Sequence, residues 1–189
     1  MSKLFTTINS GFLKGQKLAL PETKLTRPTK SIVKGSFFDS YRYRLKDVIF
    51  IEMFGGSGSM AAEALSNGAK KAYAIEKDSA VYAVLRSNFA KLSNDLVAIN
   101  GDSFKEIYRV LERENDEIIL YIDPPFNIRD GYDNIYENVK KIVQNLKNHT
   151  VFLVAVEHAS KVKFDEQIGE FSLCKTKKFG LTSLSYFMR

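Results

Sequence analysis

The fold is decided by the stretch Val48-Ile49-Phe50-Ile51-Glu52-Met53-Phe54, which leads directly into Gly55-Gly56-Ser57-Gly58. A short run that is almost wholly apolar is typical of a buried strand, and a cluster of glycines ends such a strand in a turn. Helical spacing follows from Ser59 to Asn67, where Gly68 stops the helix. The body of the chain therefore begins with a strand, a glycine-rich turn and a helix.

The same alternation of strand and helix continues along the chain. Further strand-like runs are predicted at 71–76, 96–100, 117–122 and 151–156. Helical patterns are predicted after Asp78, at 103–114 and at about 133–147. Strands that alternate with helices imply crossover connections and a parallel sheet that is covered on both faces, so the predicted fold class is α/β.

The C-terminal part departs from this rhythm. Two strand-like runs, Phe171 to Lys178 and Leu181 to Met188, are separated only by Phe179-Gly180. Such close spacing indicates an antiparallel hairpin. Five parallel strands closed by an antiparallel pair would form the seven-stranded, Rossmann-like sheet of the class I methyltransferase fold. An ordinary dinucleotide-binding domain is disfavoured by this tail.

Length and composition limit the kind of protein. The chain has 189 residues, of which 44% are hydrophobic, enough for one domain with a packed core. Its longest apolar stretch, Val151 to Val156, is far shorter than the roughly 20 residues that cross a bilayer, and its first residues lack a signal-peptide core. A single cysteine, Cys174, excludes an internal disulfide. We therefore expect a cytoplasmic protein without a metal site.

Basic residues are concentrated at the N-terminus. Residues 1–46 contain ten Lys or Arg and two acidic residues, a net charge of +8, so residues 47–189 carry a net charge of −2. A basic extension is expected to bind a polyanion, although a solubilising lysine-rich surface is the alternative. We divide the chain into a basic N-terminal extension, 1–46, and a catalytic domain, 47–189. A hairpin strand near Lys17 and a helix from Lys30 are predicted within the extension.

The glycine loop carries the first chemical signal. Its pattern, Gly56-x-Gly58-x-x-Ala61, lets the backbone approach a ligand while the next helix offers N–H groups to an anion. Glu76 follows 20 residues after Gly56, where a carboxylate can accept hydrogen bonds from both ribose hydroxyls of an adenosine cofactor. Asp102, after the third strand, can accept a bond from the adenine amino group, though a Gly-Asp pair is more often a simple turn. These features suit S-adenosylmethionine and NAD equally.

The fourth strand is followed by Asp123-Pro124-Pro125-Phe126, which favours S-adenosylmethionine over NAD. An exocyclic amino group of a base is a poor nucleophile, so an enzyme must hold its hydrogens with acceptors while its nitrogen faces the methyl donor. The Asp123 carboxylate and the Pro124 carbonyl are acceptors, and the prolines add no competing N–H. Phe126 can stack on the base. Alone, the motif is merely a stiff turn, but after a glycine loop and an acidic strand end it indicates amino methylation.

Over most of its length the chain resembles the bacterial small-subunit ribosomal RNA methyltransferases of the RsmD type, which methylate the 2-amino group of a guanine in 16S rRNA. The resemblance rests on Gly15-Gln16-Lys17-Leu18, Arg27-Pro28-Thr29, Phe54-Gly55-Gly56-Ser57-Gly58, Glu63-Ala64-Leu65-Ser66, Glu76-Lys77-Asp78, Asn88, Gly101-Asp102, Asp123-Pro124-Pro125-Phe126 and Glu157-His158. Gly55 stands where the family usually has alanine, and Phe126 where tyrosine is frequent. These departures retain backbone freedom and a stacking ring.

The resemblance implies a role for each part of the site. Asp123 and Pro124 would orient the amine, Pro125 would stiffen the loop, and Phe126 would stack on the base. The residues assigned to S-adenosylmethionine are Phe54, Gly55, Gly56, Ser57, Gly58, Glu76, Lys77, Asp102, Ser103 and Asp123. The residues assigned to RNA, on the basic charge of the extension, are Lys17, Arg27, Lys30 and Lys34, and Lys34 differs from the residue that the family usually has at this position. Direct displacement at the methyl carbon requires neither a metal nor a covalent enzyme intermediate.

Three other functions remain open at the level of sequence. The tetrapeptide is shared with adenine-N6 DNA methyltransferases, although no separate target-recognition domain is evident in the 189 residues. The glycine loop alone would permit an NAD-dependent oxidoreductase. A non-catalytic RNA-binding protein is the third alternative, which the intact motifs disfavour. The expected partner is 16S rRNA within an assembling or assembled small ribosomal subunit.

Overall fold

The computed structural model describes residues 4–21, 28–125, 134–146 and 150–189. Within these ranges the strands are β1 (Phe5–Thr7), β2 (Lys17–Ala19), β3 (Ile49–Met53), β4 (Lys71–Glu76), β5 (Leu96–Asn100), β6 (Ile118–Ile122), β7 (Val151–Ala159), β8 (Gln167–Ile168), β9 (Phe171–Phe179) and β10 (Thr182–Met188). The helices are α1 (Pro28–Tyr41), α2 (Ser59–Ser66), α3 (Ser79–Ala90), α4 (Ser103–Leu111) and α5 (Ile135–Gln144), with a 3-10 turn at Arg42–Arg44. Among the described residues, no helix has the length and apolar character needed to cross a membrane.

The main sheet has the strand order β5-β4-β3-β6-β7-β10-β9-β8 in the described part of the chain. Strands β3 to β7 are parallel, and β10 is antiparallel to both β7 and β9. The chain runs outward from β3 to β5 and then returns to β6, on the other side of β3. Open α/β sheets bind ligands at such a reversal, outside the carboxyl ends of the strands. The loops that flank this reversal are the glycine loop and the segment that begins at Asp123.

Helices cover both faces of the sheet because successive strand residues point to opposite sides. Phe50 and Tyr121 lie in the core on the side of α1, α2 and α3, whereas Ile51 and Leu120 lie in the core on the side of α4 and α5. Strands β3 and β6 are buried at every position. Their apolar runs are therefore nearly continuous rather than alternating, as expected for the centre of a parallel sheet.

The α/β fold with its C-terminal hairpin is confirmed, with two differences at the tail. Strand β7 extends to Ala159, beyond the predicted end at Val156, because β10 pairs with it from Leu153 to Ala159. A two-residue strand, Gln167–Ile168, adds an eighth member to the predicted seven-stranded sheet by pairing with the start of β9. Two residues are too few to give a periodic signal in the sequence.

The N-terminal extension is built into the core of the body. Strands β1 and β2 form the small hairpin that the sequence suggests near Lys17. Leu18 of this hairpin and Val33 and Phe37 of α1 are fully buried in the same cluster as the inner residues of α2 and α3. The extension therefore contributes apolar surface to the fold as well as positive charge.

Two buried polar side chains hold the extension in place. The Glu63 carboxylate on α2 accepts hydrogen bonds from the backbone N–H groups of Asn9, at 2.9 Å, and Ser10, at 2.8 Å. The same carboxylate accepts a bond from Lys34 Nζ at 3.0 Å, and Lys34 also donates to the Thr7 carbonyl at 3.1 Å. Lys34 is only 7% exposed. The prediction that Lys34 contacts RNA is therefore wrong, because its ammonium group is turned inward by a buried carboxylate.

Candidate active site

The loop after β3 is held in an uncommon backbone conformation. Phe54 has a φ of 63°, which is a left-handed conformation that a side chain with a Cβ rarely adopts. Its N–H donates to Ser103 Oγ at 3.3 Å, and its ring packs edge-on against Phe104 with centroids 5.5 Å apart. Such strain persists only where the surroundings fix it, and it is concentrated at functional sites.

Glu52 and Asn88 form hydrogen bonds with the glycine loop and with the helix that follows it. The Glu52 carboxylate, which is 6% exposed, accepts a hydrogen bond from the N–H of Ala61 in the first turn of α2 at 3.0 Å. The Asn88 amide donates to the Ser57 carbonyl at 3.0 Å. Asn88 also exchanges two bonds with the backbone of Ala19, at 2.9 and 3.0 Å. One buried amide therefore joins the loop to the N-terminal extension.

Glu76 closes the other side of the loop. Its Oε2 accepts a hydrogen bond from the Gly56 N–H at 2.9 Å, and its Oε1 accepts one from the Asp78 N–H at 3.0 Å. Each carboxylate oxygen has a second acceptor position, because an ionised carboxylate has about four lone-pair sites. Glu76 is partly exposed at the end of β4. Its side chain is therefore placed to accept further bonds from a diol.

Asp102 lies at the end of β5 and caps α4. Its carboxylate accepts bonds from Phe104 N–H and from Lys77 Nζ, both at 3.0 Å. Burial raises the pKa of Asp102, but the bonds from Lys77 and from the Phe104 N–H outweigh burial and leave the pKa below its usual value. Ser103 is 3% exposed, and its hydroxyl is engaged with Phe54 and the Ile75 carbonyl. The Ser103 side chain thus supports the loop, and only its backbone is placed to meet a cofactor.

The chemistry of these groups fits an adenosine cofactor. Glu76 offers acceptors for ribose hydroxyls, and Asp102 offers an ionised acceptor for an adenine amino group. Asp102 and Phe104 also line a shallow groove between α4 and α5, with Ile142 on its far side. An apolar ring beside a carboxylate is a suitable wall for a purine. The described residues therefore bring the predicted Glu76, Lys77 and Asp102 together with the glycine loop.

Asp123 follows β6 at the same edge of the sheet. The side chain of Asp123 is half-buried, Pro124 is buried and Pro125 is exposed, whereas Phe126 lies outside the described residues. Behind them, the buried Tyr121 hydroxyl donates to Glu157 Oε2 at 3.0 Å. Burial raises the pKa of Tyr121 well above its usual value, and the charges of Glu157 and Asp123 raise it further. Asp123 is thus close enough to the buried Tyr121 and Glu157 for its charge to act on the Tyr121 hydroxyl.

Glu157 and His158 do not form an acid–base pair. They are adjacent in β7, so their side chains point to opposite faces of the sheet. His158 Nε2 lies 2.8 Å from Ser185 Oγ, and its Nδ1 lies 3.0 Å from the Ala159 carbonyl. Because that carbonyl can only accept, Nδ1 carries the proton of a neutral ring. Burial lowers the pKa of His158, which favours this neutral ring, and both ring nitrogens are engaged by other residues of the sheet.

The remaining predicted RNA contacts are placed as follows. Lys17 is exposed on β2. Arg27 lies outside the described residues, as does the side chain of Lys30, whose backbone belongs to α1. Lys17 thus stays a prediction, and so do Arg27 and Lys30. Within the described residues, no group of three His, Cys, Asp or Glu side chains is arranged to hold a metal ion.

No role was predicted from the sequence for three buried polar residues. Glu52 and Asn88 bond to the start of α2 and to the glycine loop, and Glu63 anchors the N-terminal extension. Each carried a signal, because a carboxylate within the apolar runs 48–54 and 60–65 must be buried with partners. Asn88 likewise lies on the apolar side of a helix, next to Phe89. A polar residue within an apolar run predicts that its side chain is buried with partners, but the run does not identify those partners.

The strand order, the glycine loop and the motif at Asp123 define a class I S-adenosylmethionine-dependent methyltransferase. Comparison with known proteins agrees with this class and narrows it. The chain belongs to the family described as conserved hypothetical protein 95, the RsmD-type family, whose model matches residues 6–188.

Individual relatives match between about two thirds and nearly all of the chain. A Haemophilus influenzae protein named ribosomal RNA small subunit methyltransferase D is 26% identical over 181 residues, which are 93% of this chain and 90% of the relative. The Escherichia coli K12 protein of the same name is 31% identical over 120 residues, which are 63% of this chain and 59% of the relative. The structure of the Escherichia coli protein yhhF superposes with a TM-score of 0.77 at 26% identity, covering 98% of both chains.

Proposed function

We propose that this chain transfers a methyl group from S-adenosylmethionine to the exocyclic 2-amino group of a guanine in 16S rRNA of the small ribosomal subunit. The general class, an rRNA methyltransferase, is supported by the family and by the names of the relatives. The choice of the guanine 2-amino group is supported by the acceptor motif together with the RsmD-type resemblance. We place the reaction in the cytoplasm, on RNA within an assembling or assembled subunit.

The observation that carries the proposal is the position of Asp123 and Pro124 relative to the glycine loop. Asp123 is one residue beyond Ile122, which is level with Met53 on the neighbouring strand β3. Neighbouring strands lie about 4.8 Å apart, so a base amine at Asp123 and a cofactor on the glycine loop would be side by side. This proximity suits a direct transfer between two bound reactants.

The chain's contribution to the reaction is to orient the amine. The Asp123 carboxylate accepts one of its hydrogens and the Pro124 carbonyl accepts the other, so the nitrogen lone pair is drawn out of conjugation with the ring. Pro124 and Pro125 have no N–H, so neither can occupy the nitrogen lone pair as a competing donor. S-adenosylmethionine supplies the methyl group on a positively charged sulfur. Phe126 remains the predicted stacking partner of a base that has been turned out of its surroundings.

The test is an incubation of the protein with labelled S-adenosylmethionine and small ribosomal particles that lack methylation, followed by nucleoside analysis of the RNA. We expect the label in N2-methylguanosine. Label in N6-methyladenosine, or labelling of duplex DNA in preference to the particles, would contradict the proposed substrate. Binding of NAD in preference to S-adenosylhomocysteine in calorimetry would contradict the cofactor.

A further inference from the structure

The end of the C-terminal hairpin presents an exposed leucine, with three exposed lysines near it in the sequence. Leu181 is 91% exposed. Lys178 comes three residues before it, and Lys161 and Lys163 follow Ser160, whose N–H bonds to the Leu181 carbonyl. Leu181 and the three lysines are called the tip surface below. None of the three lysines forms an ion pair with another residue in the described part of the chain. The mechanism derived above does not use this surface.

The tip surface is rigidly built. Gly180, with a φ of 64°, and Leu181 form a two-residue loop between Phe179 and Thr182, as in turns that place glycine first. Ser160 fastens the preceding turn to this loop: its N–H donates to the Leu181 carbonyl and its hydroxyl to the Gly180 carbonyl, both at 2.9 Å. These bonds fix the backbone of the loop, and the Leu181 side chain extends from it into solvent.

The tip surface lies at the same edge of the sheet as Asp123. Val156 of β7 is level with Ile122, and β7 then continues three residues to Ala159, which pairs with Thr182. At about 3.3 Å per residue and about 4.8 Å between strands, Leu181 stands on the order of 15 Å from Asp123. A nucleic-acid strand whose base is held at Asp123 would reach this distance within a few nucleotides.

Nearby acidic residues do not cancel the charge of the tip surface. Asp165 is paired with Lys140 at 3.5 Å, and Lys140 also pairs with Glu137 at 3.3 Å, so this lysine offsets one of the two carboxylates. The Glu166 carbonyl bonds to the N–H of Leu173, which places Glu166 further along β9 and away from the hairpin turn. The three lysines of the tip surface therefore outnumber the uncompensated carboxylates near them, and an excess of positive charge suits phosphates.

We infer that the tip surface is a second RNA contact, in which Lys161, Lys163 and Lys178 hold phosphates while Leu181 packs against a base next to the target nucleotide. The inference rests on the proposed function for its choice of RNA. Apolar side chains such as leucine are used in other proteins as wedges that insert between neighbouring bases. Leu181 is suited to such a contact because its backbone is fixed by hydrogen bonds, its side chain is exposed and exposed lysines are near it in the sequence.

The opposite edge of the molecule supplies matched controls. Tyr43 is also 91% exposed, just before the start of β3. Lys91 and Arg113 are exposed after the ends of α3 and α4, at the amino edge of the sheet and outside the basic extension. The charge-reversed variant Lys161→Glu with Lys178→Glu is therefore compared with Lys91→Glu with Arg113→Glu, and Leu181→Ala is compared with Tyr43→Ala. None of these residues belongs to the cofactor site described above.

The experiment measures the affinity of each variant for unmodified 16S rRNA transcript at several salt concentrations, with S-adenosylhomocysteine binding as a check on the fold. We expect the double reversal at the tip to weaken RNA binding at least about tenfold and to lower the salt slope by roughly 1.5 to 2, while Lys91→Glu with Arg113→Glu changes neither appreciably. Leu181→Ala should slow single-turnover methylation about tenfold with an unchanged salt slope, and Leu181→Met should restore most of the rate.

Equal effects at the two edges, or no effect at the tip in variants that still bind S-adenosylhomocysteine, would overturn the inference. Tip-dependent binding that favours duplex DNA over the RNA transcript would also overturn it. If RNA binding depends on the tip but no methyl group is transferred to the transcript or to ribosomal particles, the proposed function fails while the contact surface stands. The two ideas are thus tested separately.

Discussion

The N-terminal extension and the carboxyl edge of the sheet are both rich in charged residues, and the fold uses those charges differently. In the extension, Lys34 is buried against Glu63, and the pair fastens two parts of the chain together. At the edge, Asp123 and Glu76 are partly exposed where parallel strands end. The difference teaches that net charge along a sequence does not identify a ligand surface, whereas position at a strand end is more informative. Changes in the extension should therefore affect stability, and changes at the edge should affect catalysis.

The largest effect is expected from Lys34→Met. Removing the ammonium leaves Glu63 as a buried charge without its counterion, although the backbone N–H groups of Asn9 and Ser10 still bond to it. We expect the free energy of unfolding to fall by about 3 kcal/mol, measured by urea denaturation. Adding Glu63→Gln should recover part of the loss, since the unpaired charge is then gone. Unchanged stability would show that the ion pair of Lys34 with Glu63 does not fasten the extension to α2.

Asp123→Ala tests the opposite side of the comparison. Loss of the acceptor should lower the single-turnover rate about a hundredfold or more, with little change in the urea midpoint. Asp123→Asn keeps a carbonyl acceptor, so it should retain more activity than alanine if the carboxylate works by orienting the amine. Equal inactivity of the two variants would point to proton removal by Asp123. A folded, cofactor-binding alanine variant with the wild-type rate would remove Asp123 from the active site.

Glu76→Ala should have an intermediate effect on cofactor binding, because it removes the acceptors for the ribose and also the bonds that hold the Gly56 and Asp78 N–H groups. A hydrogen bond to a charged group contributes about 1.5 to 3 kcal/mol, so calorimetry should show S-adenosylhomocysteine binding weakened at least about tenfold. Glu76→Gln should bind with intermediate affinity because it retains one oxygen. Glu112→Gln, at an exposed position after α4, is the matched control and should bind like the wild type. Wild-type affinity in the alanine variant would exclude Glu76 from the cofactor site.

The smallest effect is a pH dependence of stability from His158. Burial holds its pKa below the usual value of 6.5, so the folded state favours the neutral ring. Its contribution is therefore fully present above pH 6.5 and is lost as the pH falls through the lower folded-state pKa. In urea titrations between pH 7 and 5, His158→Gln should lose less stability than the wild type does. Parallel curves for the two proteins would show that His158 does not titrate differently in the folded state.

Much of the fold could be predicted from the sequence because its signals are local. The apolar run that ends at Met53, the glycines after it and the capping residue Asp78 each specify their own segment. The position of Asp123 followed from strand order alone, since parallel strands end at one edge. In contrast, whether Lys34 faces solvent depends on Glu63, which is 29 residues away in sequence. The roles of Glu52 and Asn88 also depend on distant partners, which a single sequence does not identify.

The bond between Asn88 and Ala19 also bears on how the chain folds during its own synthesis. Asn9 is separated by 54 residues from Glu63, and Ala19 by 69 residues from Asn88. The extension is synthesised before Glu63 and Asn88. Its apolar side chains can therefore be buried only after these partners have been synthesised. Long-range contacts of this kind slow folding because the intervening loop must be closed before they form. The extension, although it precedes α3 in the sequence, can therefore reach its final packing only after α3 has been synthesised.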